Sequence, residues 1–136
     1  MHYSTDRDFD HKLAINWLMN TDWGVRRGRT LVQKSLLNSY ILHASDQRIM
    51  VGFIRVVTDF SFFGHIGDVY VDVPWRRRGI GSQLIGEVMR SKVFESVTNW
   101  HATSDEREFF QKLGFSPINP ERNFVLRRNR NYSLED

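Results

Sequence analysis

The chain of 136 residues contains no cysteine. That absence excludes a disulfide scaffold, a thiolate nucleophile and a structural zinc site built on sulfur. It fits a cytoplasmic setting, and no metal is expected. No stretch approaches the roughly 18 apolar residues of a membrane-spanning helix, so no membrane partner is expected. The opening Met1-His2-Tyr3-Ser4-Thr5-Asp6 also lacks the basic-then-apolar layout of a signal peptide. Internal repeats, linkers and low-complexity runs are missing too, which leaves one domain over 1–136 with a polar tail from about 128 as the expectation. Excess charge is slight, +3 at neutral pH. The arginines are clustered at Arg26-Arg27-Arg29, Arg76-Arg77-Arg78 and Arg127-Arg128-Arg130. Small, local clusters weigh against a nucleic-acid surface and suit a compact polyanion, at least for the middle one. A Gly-Lys-Ser/Thr run is absent as well, so a Walker-type phosphate loop is excluded.

Aromatic residues are plentiful: ten Phe, four Trp and four Tyr predict a core built on rings. Periodicity predicts a short strand over 2–5 and then a helix from residue 8 or 10, with Leu13, Ala14, Trp17 and Leu18 on one face and Asp10 near its first turn. Residues 23–29, with two glycines and three arginines, read as a loop before a second helix over 30–39. Strands over 40–44 and 49–58 flank the hairpin turn Ser45-Asp46-Gln47-Arg48. An aromatic connection over 59–64 leads to a strand over 65–73. Beyond it Leu84, Ile85, Val88 and Met89 mark the buried side of a helix. A strand over 98–102 precedes a helix over 105–113 that Gly114 should end, and Phe124-Val125-Leu126 suits a last strand.

The stretch that organises the rest runs from Val69 to Ile85. A β-branched strand passes into Arg76-Arg77-Arg78-Gly79-Ile80-Gly81-Ser82 and then into a helix. Such a junction aims unpaired amides and the positive end of a helix at one spot, a natural place for phosphate oxygens. Gly79 and Gly81 carry no Cβ to keep a ligand away from the backbone. A dinucleotide fingerprint would want a third glycine where Leu84 stands. Arg76-x-x-Gly79-x-Gly81 after Val-x-Val instead resembles the acetyl-CoA signature of the GNAT superfamily of N-acetyltransferases. Phe109-Phe110-Gln111-Lys112-Leu113-Gly114-Phe115 is similar to a second segment of that family, so the resemblance covers about residues 49–126.

The resemblance implies an α/β (α+β) fold: a mixed, mostly antiparallel central sheet with helices on both faces. It implies acetyl-CoA as donor and direct attack by an amine, without an acyl-enzyme. The amides from Arg78 to Ser82, including Gly79, Ile80 and Gly81, would hold the pyrophosphate, and Arg76 and Arg77 would either add charge or simply be solvated. Backbone groups of Val71 and Val73 would pair with the pantetheine arm, and the Val71 N–H would stabilise the oxyanion. His65, six residues before Val71, is the first candidate for the base, and strand parity puts it on the face of Val69 and Val71, with Asp68 and Asp72 opposite unless a bulge re-aims them. His101 is a weaker candidate. Thr103 occupies the place of a pantetheine-binding asparagine, or else caps the helix, a role for which Asp105 is the other candidate. Phe110 stands where many members carry a tyrosine acid, so it could pack on the arm or in the core. Trp23, Phe60, Phe62 and Phe63 could line a pocket for a small-molecule amine or amino-acid-like acceptor, or belong to the core. A homodimer is a family expectation. A coenzyme A-binding module that transfers poorly is the alternative function, with Phe110 as its support.

Overall fold

A computed structural model describes residues 1–128, which form two compact units, residues 1–104 and a second from residue 105 onward. The first carries β1 (His2–Ser4), α1 (His11–Met19), α2 (Asp22–Arg27), α3 (Arg29–Leu37), β2 (Tyr40–Asp46), β3 (Ile49–Thr58), β4 (Phe63–Val71), α4 (Ile80–Arg90) and β5 (Asn99–Ala102). The strands lie in chain order in one sheet, antiparallel throughout except for the parallel β4–β5 pair. Mixed, mostly antiparallel and helix-covered, it is the expected fold class. No helix among the described residues is long and apolar enough to cross a membrane.

Alternation along the strands sends apolar side chains to both faces. Ile41, Met50 and Phe53 meet Ala14, Ile15, Trp17 and Leu18 of α1 and Val32 and Leu36 of α3, with Trp17 stacked between Phe53 and Tyr70. On the other face Leu84, Ile85 and Val88 of α4 are buried where that helix packs on β2, β3 and β4. Met89, expected on this buried side, is turned out and 39% exposed.

Several boundaries differ from expectation. Six of the residues expected to form a loop or its edge are the helix α2: Thr21 accepts the Gly24 amide, Asp22 lies in its first turn, Arg26 and Arg27 lie in its last, and Gly28 ends it at φ +87°. The hairpin turn shrinks to Gln47-Arg48, both at positive φ, as a two-residue turn requires. β4 begins at Phe63 and stops at Val71, because Asp72 caps a short 3-10 turn, Val73–Trp75, and Val73 is therefore not a strand residue.

In the second unit α5 (Arg107–Lys112) ends in a Schellman closure, with Phe115 N–H bonded to Phe110 O, Gly114 N–H to Gln111 O, and Gly114 at φ +94°. No strand forms over 124–126; Phe124, Val125 and Leu126 are exposed and belong to no ladder, without which apolar composition makes no strand. Beyond Arg128 the expected polar tail lies outside the described residues.

Candidate active site

The site is built at the free end of β4. β5 pairs with β4 only along Phe63–Ile66, so from Gly67 onward β4 has no partner strand on its β5 side among the described residues. The Asp72 amide donates to Val51 O at 2.8 Å, and the alternation of an antiparallel ladder then turns the N–H and C=O of Val71 away from β3, to that side. The Nε of Arg76 folds back to donate to Val71 O at 2.8 Å, with its guanidinium 5.2 Å from the centre of the Tyr70 ring.

After the 3-10 turn the backbone bends through two left-handed residues, Arg77 at φ +62° and Gly79 at φ +79°. For arginine that conformation costs about 1–2 kcal/mol, so the bend is held by its surroundings. α4 then starts with no side-chain cap and no acid in its first turn, and its first intrahelical bond runs from Gln83 N–H to Gly79 O. The amides of Ile80, Gly81 and Ser82 thus lie at the helix start without an intrahelical acceptor. A Cβ on Gly79 would meet nothing within 4 Å, so the space beside that residue is clear. Arg76, Arg77 and Arg78 are exposed around it, Arg78 with its guanidinium 4.9 Å over Trp75. This is a positive, donor-rich end of the kind that accepts phosphate oxygens.

The bulge in β4 changes the reading of its faces. The register steps from Arg55 opposite Asp68 to Val56 opposite Ile66, which leaves Gly67 as the extra residue. His65 therefore shares a face with Asp68 and Tyr70, while Val69 and Val71 look the other way, the reverse of simple alternation. A Cβ on Gly67 would come within 2.3 Å of an Arg55 Nη, so only glycine lets that guanidinium lie across the bulge.

Beneath it sits a cluster that sequence reasoning missed. The Asp68 side chain, 1% exposed, accepts Arg55 Nε at 2.6 Å, Arg27 Nη1 at 3.0 Å and the Trp23 indole N–H at 3.3 Å. Arg55 also donates to Ser39 Oγ. So Asp68 is engaged on both oxygens and ties α2 to the middle of the sheet. A signal was available: Arg55 and Asp68 each interrupt an apolar strand, and a charge placed there needs a partner.

His65 is half-buried opposite His101, and its pKa is lowered, first by burial and then by Arg55 and His101, with Asp68 pulling the other way. The neutral imidazole, a proton acceptor, is favoured near neutrality. Phe63 lies 5.0 Å from the His101 ring. Trp23 is 41% exposed on α2. Phe60, left-handed at φ +61°, stacks on Phe94 and lines a cavity of about 560 Å³ with Arg7, Ser39, Tyr40 and Val57 at the other end of the sheet. No ring contact joins Trp23, Phe60 and Phe63 among the described residues, and Phe62 projects outward, 77% exposed. Thr103 is exposed one residue past β5, and the N-cap position of α5 is Glu106, with no side-chain cap, so neither Thr103 nor Asp105 caps that helix. Phe110, in the second unit, meets Phe109 and Phe115 edge to face.

With this geometry in hand, comparison with known proteins is specific. The family model described as an acetyltransferase (GNAT) domain matches residues 37–117. A solved acetyltransferase of the GNAT family from Xanthomonas campestris pv. campestris is 29% identical, with a TM-score of 0.84 over 94% of this chain and 92% of its own. A GNAT-family acetyltransferase from Streptococcus pneumoniae TIGR4 is 23% identical with a TM-score of 0.69, over 95% of this chain and 96% of its own, a likeness of fold. An uncharacterized N-acetyltransferase of Gracilaria tenuistipitata var. liui is 24% identical over 67% of this chain. The chain matches about half of that relative's length, 54%.

Proposed function

The chain belongs to the GNAT family of acetyltransferases, and from that premise we propose that it moves an acetyl group from acetyl-CoA to the primary amine of a small molecule, by direct attack in a ternary complex. One observation carries the reading: the uncapped start of an eleven-residue helix, fronted by three exposed arginines, directly follows a strand whose edge is open. The amides of Gly79, Ile80, Gly81 and Ser82, with the Ser82 hydroxyl, would hold the pyrophosphate, and Arg76, Arg77 and Arg78 would offset its charge. The open N–H and C=O of Val71 would take the pantetheine arm, with Val73 and Thr103 beside it; Arg76 would give up its bond to Val71 O.

Bound acetyl-CoA would supply an activated acyl carbon: the amine nitrogen bonds to it, its oxygen takes up negative charge, and the bond to sulfur then breaks with coenzyme A leaving as the thiolate. The chain's residues do the rest. Val71 N–H is aimed to donate to the oxygen on which negative charge grows. His65, held neutral by burial and by Arg55, lies on the face of β4 opposite the side chain of Val71 and would receive the amine's proton through a chain of water along the strand. Trp23, on that same side, would border the acceptor.

Titration calorimetry of the purified protein with acetyl-CoA at two salt concentrations tests the reading. Saturable micromolar binding, weaker at high salt, followed by thiol release with amines, is expected. A folded protein that binds no acetyl-CoA would overturn it. The absence of a hydroxyl at residue 110 favours a second reading, a coenzyme A-binding module that transfers poorly; binding without turnover of any amine would select it.

A further inference from the structure

We propose that the cavity between the end of α3 and the β3–β4 connection is a second ligand site. It takes a small organic acid with an apolar body, the carboxylate on Arg7 and the body against Tyr40, Val57 and Phe60. The site is separate from the donor loop. Val57 stands opposite His65, five residues of β3 from Gly52, which faces Val71, and at the rise of a strand that is about 16 Å.

At about 560 Å³ the cavity falls within the roughly 300–1,000 Å³ of small-molecule sites. Among the residues that line it, Arg7 alone carries a charge. Its guanidinium is fixed at the end of α3, where Nη1 donates to Ser39 O at 2.9 Å and Nη2 to Leu36 O at 2.8 Å. Both acceptors are neutral carbonyls, and no carboxylate lies within ion-pair distance of Arg7 among the described residues. A guanidinium has five N–H donors, so after these two bonds it still has donors to offer a ligand. The acid of the β3–β4 connection, Asp59, is engaged in its own turn, where one oxygen accepts the amides of Ser61, Phe62 and Phe63.

Much of the remaining wall is apolar and already in place. Leu37, Val57 and Phe60 are 58%, 45% and 48% exposed around this one cavity, apolar surface that water would otherwise cover. Phe60 is left-handed at φ +61°, which costs a bulky residue about 1–2 kcal/mol. Its N–H donates to Thr58 Oγ1 at 2.9 Å, its ring stacks on Phe94, and Tyr40 meets both rings edge-on, so the strained residue is held rigidly. Strain of this kind collects at ligand clamps. A polyamine would bring like charge to Arg7, a neutral apolar molecule would strip water from the guanidinium without replacing it, and a bare inorganic anion would leave the apolar wall wet. An organic acid answers both ends, through paired, charge-assisted hydrogen bonds at one and ring and methyl contacts at the other. Ser39 joins this wall to the buried cluster, since its Oγ accepts Arg55 at 3.1 Å. For that reason Ser39 is not the residue to change.

The test is a titration of the isotope-labelled full chain with phenylbutyrate, followed by two-dimensional NMR of the backbone amides, with phenylbutyramide and inorganic phosphate as controls. Saturable shifts are expected at residues 5–7, 37–41 and 56–60 with a Kd of about 1 mM or tighter, while the amides of residues 79–82 stay where they are. The amide and phosphate should bind at least about tenfold more weakly. Leu37→Glu places an acid on the exposed rim without touching the core, and should weaken phenylbutyrate by about tenfold or more in a protein of unchanged melting temperature. Arg7→Gln should lose as much and Arg7→Lys should keep part of the affinity; because Arg7 also braces the end of α3, Leu37→Glu decides the matter if Arg7→Gln fails to fold. Absence of saturable shifts in the folded wild type, shifts centred on other residues, equal binding by the amide or phosphate, or undiminished binding in Leu37→Glu would each overturn the proposal. None of these results depends on acetyl-CoA, so the transferase reading is tested apart from them.

Discussion

The two ends of the β4 edge are built in opposite ways. At the C-terminal end, donor-rich groups come from one continuous stretch, Arg76 to Ser82, and most of them are backbone amides or exposed arginines. At the bulge, the working groups come from residues 23, 27, 55 and 68, drawn from a helix and two strands onto a carboxylate that is 1% exposed. The first can be altered without touching the core, while the second is part of the core. A loop of this kind, proposed to hold the phosphates, is therefore separable from stability, and a buried cluster of this kind is not.

The sharpest way to break the comparison is to make each end fail separately. Gly79→Glu puts a carboxylate and its bulk into open space at the start of α4. Like charge against phosphate costs several kcal/mol, so acetyl-CoA affinity should fall by about a thousandfold or more. Only the positive φ opposes the new residue, so the melting temperature should drop by no more than about 1–2 kcal/mol would produce. Unchanged affinity in calorimetry would sink the loop assignment.

Asp68→Ala should do the reverse. It strands the Arg55 guanidinium, 12% exposed, without its 2.6 Å partner, and breaking a buried pair in this way costs about 3–5 kcal/mol. Denaturant unfolding measures that loss. A variant as stable as the wild type would mean that Arg55 finds water or another acceptor and that the bulge is not held by this pair.

This division also explains what the sequence allowed one to read. Arg76-x-x-Gly79-x-Gly81 is legible because its chemistry is local: a strand, a turn and a helix start, each signalled by neighbouring residues. The sheet and its flanking helices were legible for the same reason. The faces of β4 were not, because the bulge at Gly67 is a relation between two strands, set by Arg55 lying over a missing Cβ. Parity counted along one strand cannot contain it. α2 was hidden because Gly24 within it and Gly28 just past its end look like loop residues, whereas Gly24 is buried against the end of α1, where a Cβ would come within 1.8 Å of Leu18 O. Phe124, Val125 and Leu126 misled in the opposite direction, since strand composition without a ladder partner leaves them exposed.

A smaller effect joins the two ends. His65 lies on the face of the Asp68 cluster yet would serve the chemistry at the open edge. Its pKa is below the ordinary 6.5, so as pH rises through that depressed value the imidazole loses its proton and turnover should rise; at pH 7 it should already be near its plateau. His65→Ala should lower kcat by about a hundredfold and remove this acid limb from the profile. An unchanged profile in the variant would take His65 out of the mechanism.

Thr21→Ala is the mildest of these probes. Thr21 accepts the Gly24 amide at the start of α2, and loss of such a cap costs about 1 kcal/mol. That helix is only six residues long, so it has little intrahelical bonding to fall back on, and it carries both Trp23 and Arg27 to Asp68. Loosening it should raise the acceptor KM a fewfold while acetyl-CoA affinity stays as it was, because the Arg76 to Ser82 loop takes its shape from the Val73–Trp75 turn and the start of α4. If both affinities fall together, the two ends of the edge are mechanically coupled through the sheet. The donor loop would then be less independent of the buried cluster than its local construction implies.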